Sequence, residues 1–292
     1  MKQKKIFALG FFDGVHLGHQ ALLRSCCKLA LEQNCMPVAV TFPLPPGAVL
    51  KEQQPNMITS ITERKSLLQQ YGMDDVRVLS ADERTFSMQW QDFLEMLLEE
   101  GAAGFVCGED YRFGKNGAGT PEALLNFAAG WDLPCIIVPE QTMDGEKISS
   151  TRIRTLLEGG DVENANRLLG HPHVLTGIVE HGQHLGRTIG IPTANLSLPA
   201  GVLTPAFGVY ACKAIVDSME YLTVTNIGTR PTVNGQNVTV ESWILDFSGD
   251  LYGKELTLHF HKFLRPEQKF DSLENLKAQI QADAAKAYKL LR

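Results

Sequence analysis

Two histidines three residues apart follow the first apolar run of the chain. In the segment GFFDGVHLGHQALL, Gly14 and Gly18 flank His16 and His19, and an apolar helical pattern follows. Glycines let the backbone approach a phosphate closely, and a new helix presents free N–H groups and the positive end of its dipole. Two imidazoles there could stabilise charge that develops on a phosphoryl group as its leaving group departs. The spacing predicts an anion site, although such histidines can also simply cap the helix.

A second group of phosphate-binding side chains lies in KISSTRIRTLL, residues 147–157. Ser150 and Thr151 stand at a predicted helix start, and Arg154 follows them. Hydroxyls, backbone amides and a guanidinium together can clamp a phosphate. An ordinary N-cap with surface arginines would explain the same residues.

A third candidate site lies in the glycine-rich segment HGQHLGRTIGIPTANL, residues 181–196. Gly190 precedes Thr193 and Asn195, whose hydroxyl and amide oxygens are hard ligands suited to Mg²⁺ beside ATP phosphates. The sequence contains no GxxxxGK[ST] motif, so any kinase here is not a P-loop enzyme. On spacing alone, a turn-rich barrel loop accounts for the segment better than a metal–nucleotide site does.

Length and composition indicate what kind of fold holds these residues and what kinds of ligand the chain can bind. A chain of 292 residues predicts about two domains, and 44% hydrophobic with 21% charged residues is ordinary for a globular protein. A net charge of −6 gives no general attraction to nucleic acid or anionic lipid, so any anion site must be built locally. No apolar stretch approaches the roughly 20 residues of a spanning helix, which predicts no membrane insertion. The six cysteines form no Cys-x-x-Cys pair, which favours a reduced cytoplasm.

The first half of the chain alternates short apolar runs with helical patterns, which is typical of a doubly wound parallel sheet. Ser60 and Glu63 resemble a capping box, and Ser87 and Gly101 are expected to begin and end an amphipathic helix between them. The predicted strands are Ile6–Leu9, Pro37–Phe42, Val76–Leu79, Phe105–Cys107 and Cys135–Val138.

The second half is rich in β-patterns separated by turn residues, which predicts a small antiparallel barrel. A helical segment begins near Ser272 and should pack against this barrel. The change of character between Glu158 and Pro172 predicts domains at residues 1–158 and 159–292. The predicted strands are Val174–Val179, Val209–Val216, Leu222–Ile227, Val238–Phe247 and Leu256–Phe263.

These motifs together resemble a known enzyme family. GFFDGVHLGHQ and KISSTRIR resemble the nucleotidyltransferase superfamily, in which such segments hold ATP phosphates. In combination they are similar to the prokaryotic bifunctional riboflavin kinase and FAD synthetase. GIPTANL closely resembles the riboflavin kinase signature for Mg²⁺ and nucleotide, and NIGTRPTV, VESWILDF and FLRPEQKF extend the likeness over nearly the whole chain.

The resemblance implies roles for further residues. Glu241, in VESWILDF, matches the family's catalytic glutamate, which takes the proton from the terminal ribityl hydroxyl. Arg265, in FLRPEQKF, resembles the arginine near flavin and nucleotide. Asp110 and Phe113, in GEDYRFG, resemble residues that shape the adenylyltransferase site. The expected fold is a nucleotidyltransferase-like sheet followed by a riboflavin-kinase-like barrel.

The same resemblance implies two reactions with Mg²⁺ and ATP as co-substrate: riboflavin to FMN, and FMN to FAD. Leu44 and Gly117 depart from the family pattern in the N-terminal half, where a polar residue and an arginine are usual. Trp243 replaces a frequent histidine, which implies a packing change. Two alternatives stay open: a riboflavin kinase with a degenerate N-terminal domain, and a flavin-binding regulator without turnover.

Overall fold

The computed structural model describes residues 3–51, 56–182, 190–232 and 235–292, so part of the glycine-rich segment, residues 183–189, lies outside the described residues. The contacts of the chain divide it into two units, Met1–Ser150 and Thr151–Arg292. The predicted boundary after residue 158 falls later than this division. The backbone oxygen of Leu157 accepts a hydrogen bond from the N–H of Ala206, which joins this part of the chain to the C-terminal unit. The functional boundary stays a prediction.

The N-terminal unit is built on a five-stranded sheet in the order β3-β2-β1-β4-β5, with parallel neighbours throughout. Its strands are β1 (Lys5–Leu9), β2 (Met36–Thr41), β3 (Asp75–Val78), β4 (Ala102–Gly108) and β5 (Cys135–Val138). Its helices are α1 (Leu17–Glu32), α2 (Pro46–Leu50), α3 (Ile61–Gln70), α4 (Glu83–Phe86), α5 (Trp90–Glu99) and α6 (Pro121–Gly130). A short hairpin of β6 (Thr142–Met143) and β7 (Glu146–Lys147) follows.

The central strand β1 is buried on both faces because successive side chains point to opposite sides of a strand. Ile6 and Ala8 join the hydrophobic cluster that includes residues of α1 and α3. Phe7 and Leu9 join a separate cluster that includes residues of α5 and α6. Two cores on one parallel sheet confirm the predicted doubly wound fold.

Two of the three predicted helix signals in this unit are confirmed. Ser60 and Glu63 form the capping box of α3, and Gly101, at φ 99°, follows the end of α5. The prediction that Ser87 caps α5 is wrong, because the N-cap of α5 is Gln89. Asp82 instead starts the extra helix α4, at whose end Ser87 lies.

The C-terminal unit contains a closed barrel with the strand order β10-β11-β12-β9-β8-β13 and antiparallel neighbours. Its strands are β8 (His173–Glu180), β9 (Ala194–Ser197), β10 (Gly208–Val216), β11 (Met219–Thr232), β12 (Gly235–Ile244) and β13 (Glu255–Arg265). Helices α7 (Ser150–Glu158) and α8 (Val162–Leu169) precede the barrel, and α9 (Leu273–Leu291) follows it. The predicted barrel is confirmed.

Helix α9 covers part of the outer face of the barrel. Ser272 caps it, as predicted, by accepting a hydrogen bond from the N–H of Asn275. Ala284 and Ala287 of α9 pack with Val209 and Val224 of the neighbouring strands β10 and β11. The small alanine side chains let helix and sheet approach closely, which fixes the position of α9 over these strands.

Membrane insertion by a helix is not seen in the part of the chain that the structure describes. Every described helix is too short or too polar to cross a bilayer.

His173, at the start of β8, is expected to make the protein sensitive to acid. Burial lowers the pKa of this imidazole from 6.5 to about 3, and within the described residues neither ring nitrogen has a hydrogen-bond partner. Below about pH 6.5 this imidazole therefore binds a proton in the unfolded chain but not in the folded chain. The free energy of unfolding falls as the pH drops through that value. Between pH 8 and pH 5 we expect a loss of about 2 kcal/mol from this group. Urea unfolding at the two pH values checks the loss, and His173→Leu should reduce it; an equal loss in the variant would contradict the assignment.

Candidate functional sites

A cavity of about 330 Å³ lies at the carboxyl ends of β1, β4 and β5. In the order β3-β2-β1-β4-β5 the sequence of strands reverses between β1 and β4, and ligands of open α/β sheets bind at such a point. Its polar wall includes His16, His19, Asp110, Lys147 and Ser150. The structure therefore brings both N-terminal motifs to one cavity.

The two histidines face each other as stacked rings, with centroids 3.6 Å apart and planes 14° from parallel. His16 is the N-cap of α1, since its Nδ1 accepts a hydrogen bond from the backbone N–H of His19. The neutral imidazole of His16 must then carry its proton on Nε2, which leaves a donor for a ligand. The capping role and a chemical role therefore use different nitrogens of the same ring.

Both histidines are neutral at pH 7. Burial lowers the pKa of His16 from 6.5 to about 4, although Asp13 and Asp110 oppose the shift. Burial also lowers the pKa of His19, and the nearby His16 and Arg64 add to this shift. Among the described residues nothing bonds to the buried Nδ1 of His19. The pair therefore offers a phosphate polar N–H groups rather than positive charge.

Charged groups at the rim of the cavity form a network centred on Lys147. Its ammonium group lies 2.6 Å from the carboxylate of Asp110 and also pairs with Glu140. The sequence predicted Asp110 as a ligand residue. It predicted no role for Lys147, which begins the segment KISSTRIRTLL, or for Glu140. The salt bridge shows that an arriving phosphate would compete with two carboxylates for this lysine.

The other predicted N-terminal residues occupy different positions. Gly18 lines the cavity, and a Cβ there would lie 3.1 Å from the ring of His16. Gly14, at φ 78°, instead donates its N–H to Thr59. Thr151 and Arg154 lie in α7, beyond the end of the N-terminal unit, and their phosphate contacts stay a prediction.

The C-terminal candidates form a polar row on the outer face of the barrel. Cross-strand partners share a face of a sheet. Asn195 pairs with Glu180 on one side and with Glu241 on the other, and Glu241 also pairs with Asn226. Val209 continues the row by pairing with both Asn226 and Arg265. Because Val209 packs against α9, this row lies on the outside of the barrel. The register thus brings Asn195, Glu241 and Arg265 into one belt.

Two cavities meet at Thr193. One, of about 600 Å³, is lined by residues that include Pro192, Phe247 and Tyr252. The other, of about 290 Å³, is lined on its polar side by Asn226, Glu241, Arg265 and Glu267, and Thr193 borders both. The apolar wall of the smaller cavity includes Trp243, Phe270, Leu273, Leu276 and Ile280. Leu276 and Ile280 of α9 are only partly buried because they face this cavity.

Asn195 packs against the backbone of Gly182. A Cβ on Gly182 would lie only 2.3 Å from the amide nitrogen of Asn195, so a side chain there would displace the amide. Gly190, the predicted glycine of this segment, has φ 77° and thus needs the conformational freedom of glycine.

Arg265 is fixed by a carboxylate that sequence reasoning missed. Its guanidinium forms a two-pronged pair with Asp283 of α9, with distances of 3.0 Å from Nε and 2.8 Å from Nη2 to Oδ2. Gln279 donates to the same carboxylate, and Arg265 lies 5.8 Å from the ring centroid of Phe270. Arg265 is therefore held in place, with its side chain 17% exposed. A signal was present, since Asp283 follows Leu276 and Ile280 on the apolar face of α9.

Replacing Asp283 by alanine should destabilise the C-terminal unit by about 3–5 kcal/mol, because it leaves the partly buried cation of Arg265 unpaired. Asp283 is 3% exposed. Urea unfolding of the variant measures the loss. Glu220→Ala is a matched control, because Glu220 pairs with Lys213 at the surface and should cost at most about 1 kcal/mol. Equal losses in the two variants would contradict a structural role for the Arg265–Asp283 pair.

Comparisons with known proteins match both halves of the chain. Residues 1–152 match the family model described as FAD synthetase, and residues 169–291 match the one described as riboflavin kinase. A bifunctional riboflavin kinase/FMN adenylyltransferase from Listeria monocytogenes is 37% identical over 283 residues, 96% of this chain and 90% of the relative. The Escherichia coli K12 protein of the same description is 37% identical, over 95% of this chain and 90% of its own.

A solved structure from Streptococcus pneumoniae supports the fold. Its crystal structure, titled as a macrolide-efflux protein, is 34% identical and covers 99% of this chain and 95% of its own, with a TM-score of 0.88. The fold and the full-length relatives lead to the same family. This chain therefore belongs to the family of bifunctional riboflavin kinase/FMN adenylyltransferases.

Proposed function

We propose that this chain makes flavin cofactors in two steps. Its C-terminal unit phosphorylates riboflavin with ATP to give FMN and ADP, and its N-terminal unit adenylylates FMN with a second ATP to give FAD and pyrophosphate. The observation that carries the proposal is that each unit contains its own cavity with motif residues in its lining. These are His16, His19 and Ser150 in the N-terminal unit and Thr193, Glu241 and Arg265 in the C-terminal unit.

In the kinase site, Thr193 stands where the two cavities meet. We assign the nucleotide to the larger cavity and riboflavin to the smaller one, whose wall of Trp243, Phe270 and the α9 side chains suits a flat, apolar ring system. Glu241 then lies on the polar side, where the ribityl chain would extend. Its carboxylate takes the proton from the terminal hydroxyl as that oxygen attacks the γ-phosphorus and the bond to the ADP oxygen breaks.

Mg²⁺ fits the oxygen-rich belt of the barrel. Thr193 and Asn195 would hold it, because their hydroxyl and amide oxygens, beside the carboxylate of Glu241, are the hard ligands that this ion prefers. No group of three or more His, Cys, Asp or Glu side chains among the described residues could hold a metal ion. A site this open suits an ion that arrives with nucleotide phosphates, whose negative charge it would neutralise.

In the adenylyltransferase site, the neutral histidines would donate N–H groups to the α-phosphate while an FMN phosphate oxygen attacks and pyrophosphate leaves. Leu44 and Gly117 do not remove this machinery. The loss of one charge-assisted contact costs about 1.5–3 kcal/mol, which weakens the positioning of the substrate without abolishing the reaction.

One incubation tests the proposal against its alternatives. The purified chain is given riboflavin, Mg²⁺ and ATP, and the products are separated by chromatography. FMN with FAD supports both activities. FMN alone would reduce the chain to a riboflavin kinase, and unchanged riboflavin would indicate a flavin-binding regulator.

We further propose that the chain acts in the cytoplasm on riboflavin, FMN, FAD and ATP, without nucleic acid or membrane partners. All six cysteines are free thiols, which suits a reducing compartment.

A further inference from the structure

We propose that the buried arginine Arg64 is a positioning residue of the N-terminal site, which acts on His16 and Ser150 through the loop Phe11–Val15. This inference rests on the proposed adenylylation of FMN. Arg64 lies in α3, where the segment ITERKSLL gives no sign that it differs from an exposed helix arginine.

The guanidinium of Arg64 is completely buried. Its Nη1 donates to the backbone oxygens of Phe42, at 2.7 Å, and Phe11, at 3.1 Å. Its Nη2 donates to the backbone oxygen of Thr59 and lies 3.6 Å from the carboxylate of Asp13. Burying a guanidinium is costly unless its hydrogen bonds and charge are satisfied. One side chain thus links the strand β2, the start of α3 and the loop before α1.

That loop has an unfavourable backbone conformation. Phe12 has φ 57°, Gly14 φ 78° and Val15 φ 41°. The left-handed region is disfavoured for a bulky or β-branched side chain, and such residues persist only where surrounding contacts hold them. The loop therefore needs an external support.

Asp13 supplies the other half of the support. Its carboxylate accepts hydrogen bonds from the backbone N–H groups of Ile58 and Thr59, each at 3.1 Å. The hydroxyl of Thr59 in turn accepts from the N–H of Gly14 at 3.1 Å. Asp13, Thr59 and Arg64 together therefore hold the strained loop against the segment before α3.

The loop connects directly to the proposed catalytic groups. Its backbone continues from Val15 into His16, and the ring of Phe12 meets the ring of His19 edge-on at 5.3 Å. The backbone oxygen of Asp13 accepts the hydroxyl hydrogen of Ser150 at 3.0 Å. A shift of the loop would therefore move both phosphate-binding motifs at once. Arg64 itself is not among the residues that line the cavity, so its effect is indirect.

Arg64→Lys tests this role because it keeps the positive charge beside Asp13 but removes the planar fork that reaches Phe11, Phe42 and Thr59 together. We expect kcat for FAD formation from FMN to fall about 10- to 100-fold, since small displacements of reacting groups cost this much. The KM for ATP should change less, and riboflavin phosphorylation should be unchanged. Thr59→Val, which removes only the hydroxyl that Gly14 uses, should lower the same kcat and covers the case that Arg64→Lys does not fold.

Leu94→Ala is the matched control. Leu94 is equally buried in the same unit but belongs to the core on the other face of the sheet. It should lower stability without lowering kcat of the folded fraction. If the unsubstituted protein made FMN but no FAD, the proposed adenylylation would be refuted, but the positioning role of Arg64 would not. The imidazole NMR signals of His16 and His19 are therefore also recorded, because they report the positions of these rings without any turnover. Unchanged signals in both Arg64→Lys and Thr59→Val, or the same loss of kcat in folded Leu94→Ala, would overturn the proposal.

Discussion

Glu241→Gln is expected to slow the conversion of riboflavin to FMN by about 10²-fold or more, because the amide keeps the shape of the side chain but cannot take the ribityl proton. Riboflavin and ATP should still bind, so the loss should fall on kcat rather than KM. Steady-state kinetics of FMN formation measure both constants.

FAD formation from supplied FMN, measured with the same Glu241→Gln variant, is the first control and should not change. Glu255→Gln, the same substitution at the exposed start of β13, is the second. Near-normal turnover of riboflavin by Glu241→Gln would remove Glu241 from the mechanism.

His16→Asn is expected to lower FAD formation from FMN by about 10²- to 10³-fold, the usual cost of losing a donor to a developing oxyanion. Asparagine is a good N-cap, so its side-chain oxygen can replace Nδ1 as the acceptor for the N–H of His19. The substitution therefore preserves the cap and removes the Nε2–H donor. His19→Ala should show a similar loss.

Pyrophosphate release with FMN and ATP at saturation provides the measurement, and riboflavin phosphorylation provides the internal control. If His16→Asn kept full activity, the histidine would only cap the helix. If the parent chain itself released no pyrophosphate, the departures at Leu44 and Gly117 would explain the loss of this site.

The fold could be predicted from the sequence because its local signals agree with its tertiary structure. All ten predicted strands lie within or overlap observed ones, and the capping box of α3 is present. The strand β9 was missed because Ala194–Ser197 is short and half polar, and it is a strand only through its partners β8 and β12. Ser87 was misplaced because Asp82 competes as a cap one turn earlier.

Only part of each candidate site could be predicted from the sequence, for a physical reason. Candidate residues such as His16, Thr193 and Glu241 could be named from the sequence because they stand in recognisable segments, and their roles stay predictions. Their supports could not: Asp283 contacts Arg265 across 18 positions of the chain, and Arg64 reaches Phe11 across 53. Such pairs depend on packing between distant segments, and a single sequence carries no record of which charges meet.

The closed barrel also affects how the chain folds as it is made. Its closing pair joins His173, in the first barrel strand, to Phe260, in the last. The parallel sheet, by contrast, is complete once β5 ends at Val138. Since translation delivers the N-terminal segment first, the sheet can form while the edges of β8 and β10 still await β13. A nascent or truncated chain that ends before residue 255 would expose both edges to pairing with other chains, so aggregation during synthesis should begin in the kinase half.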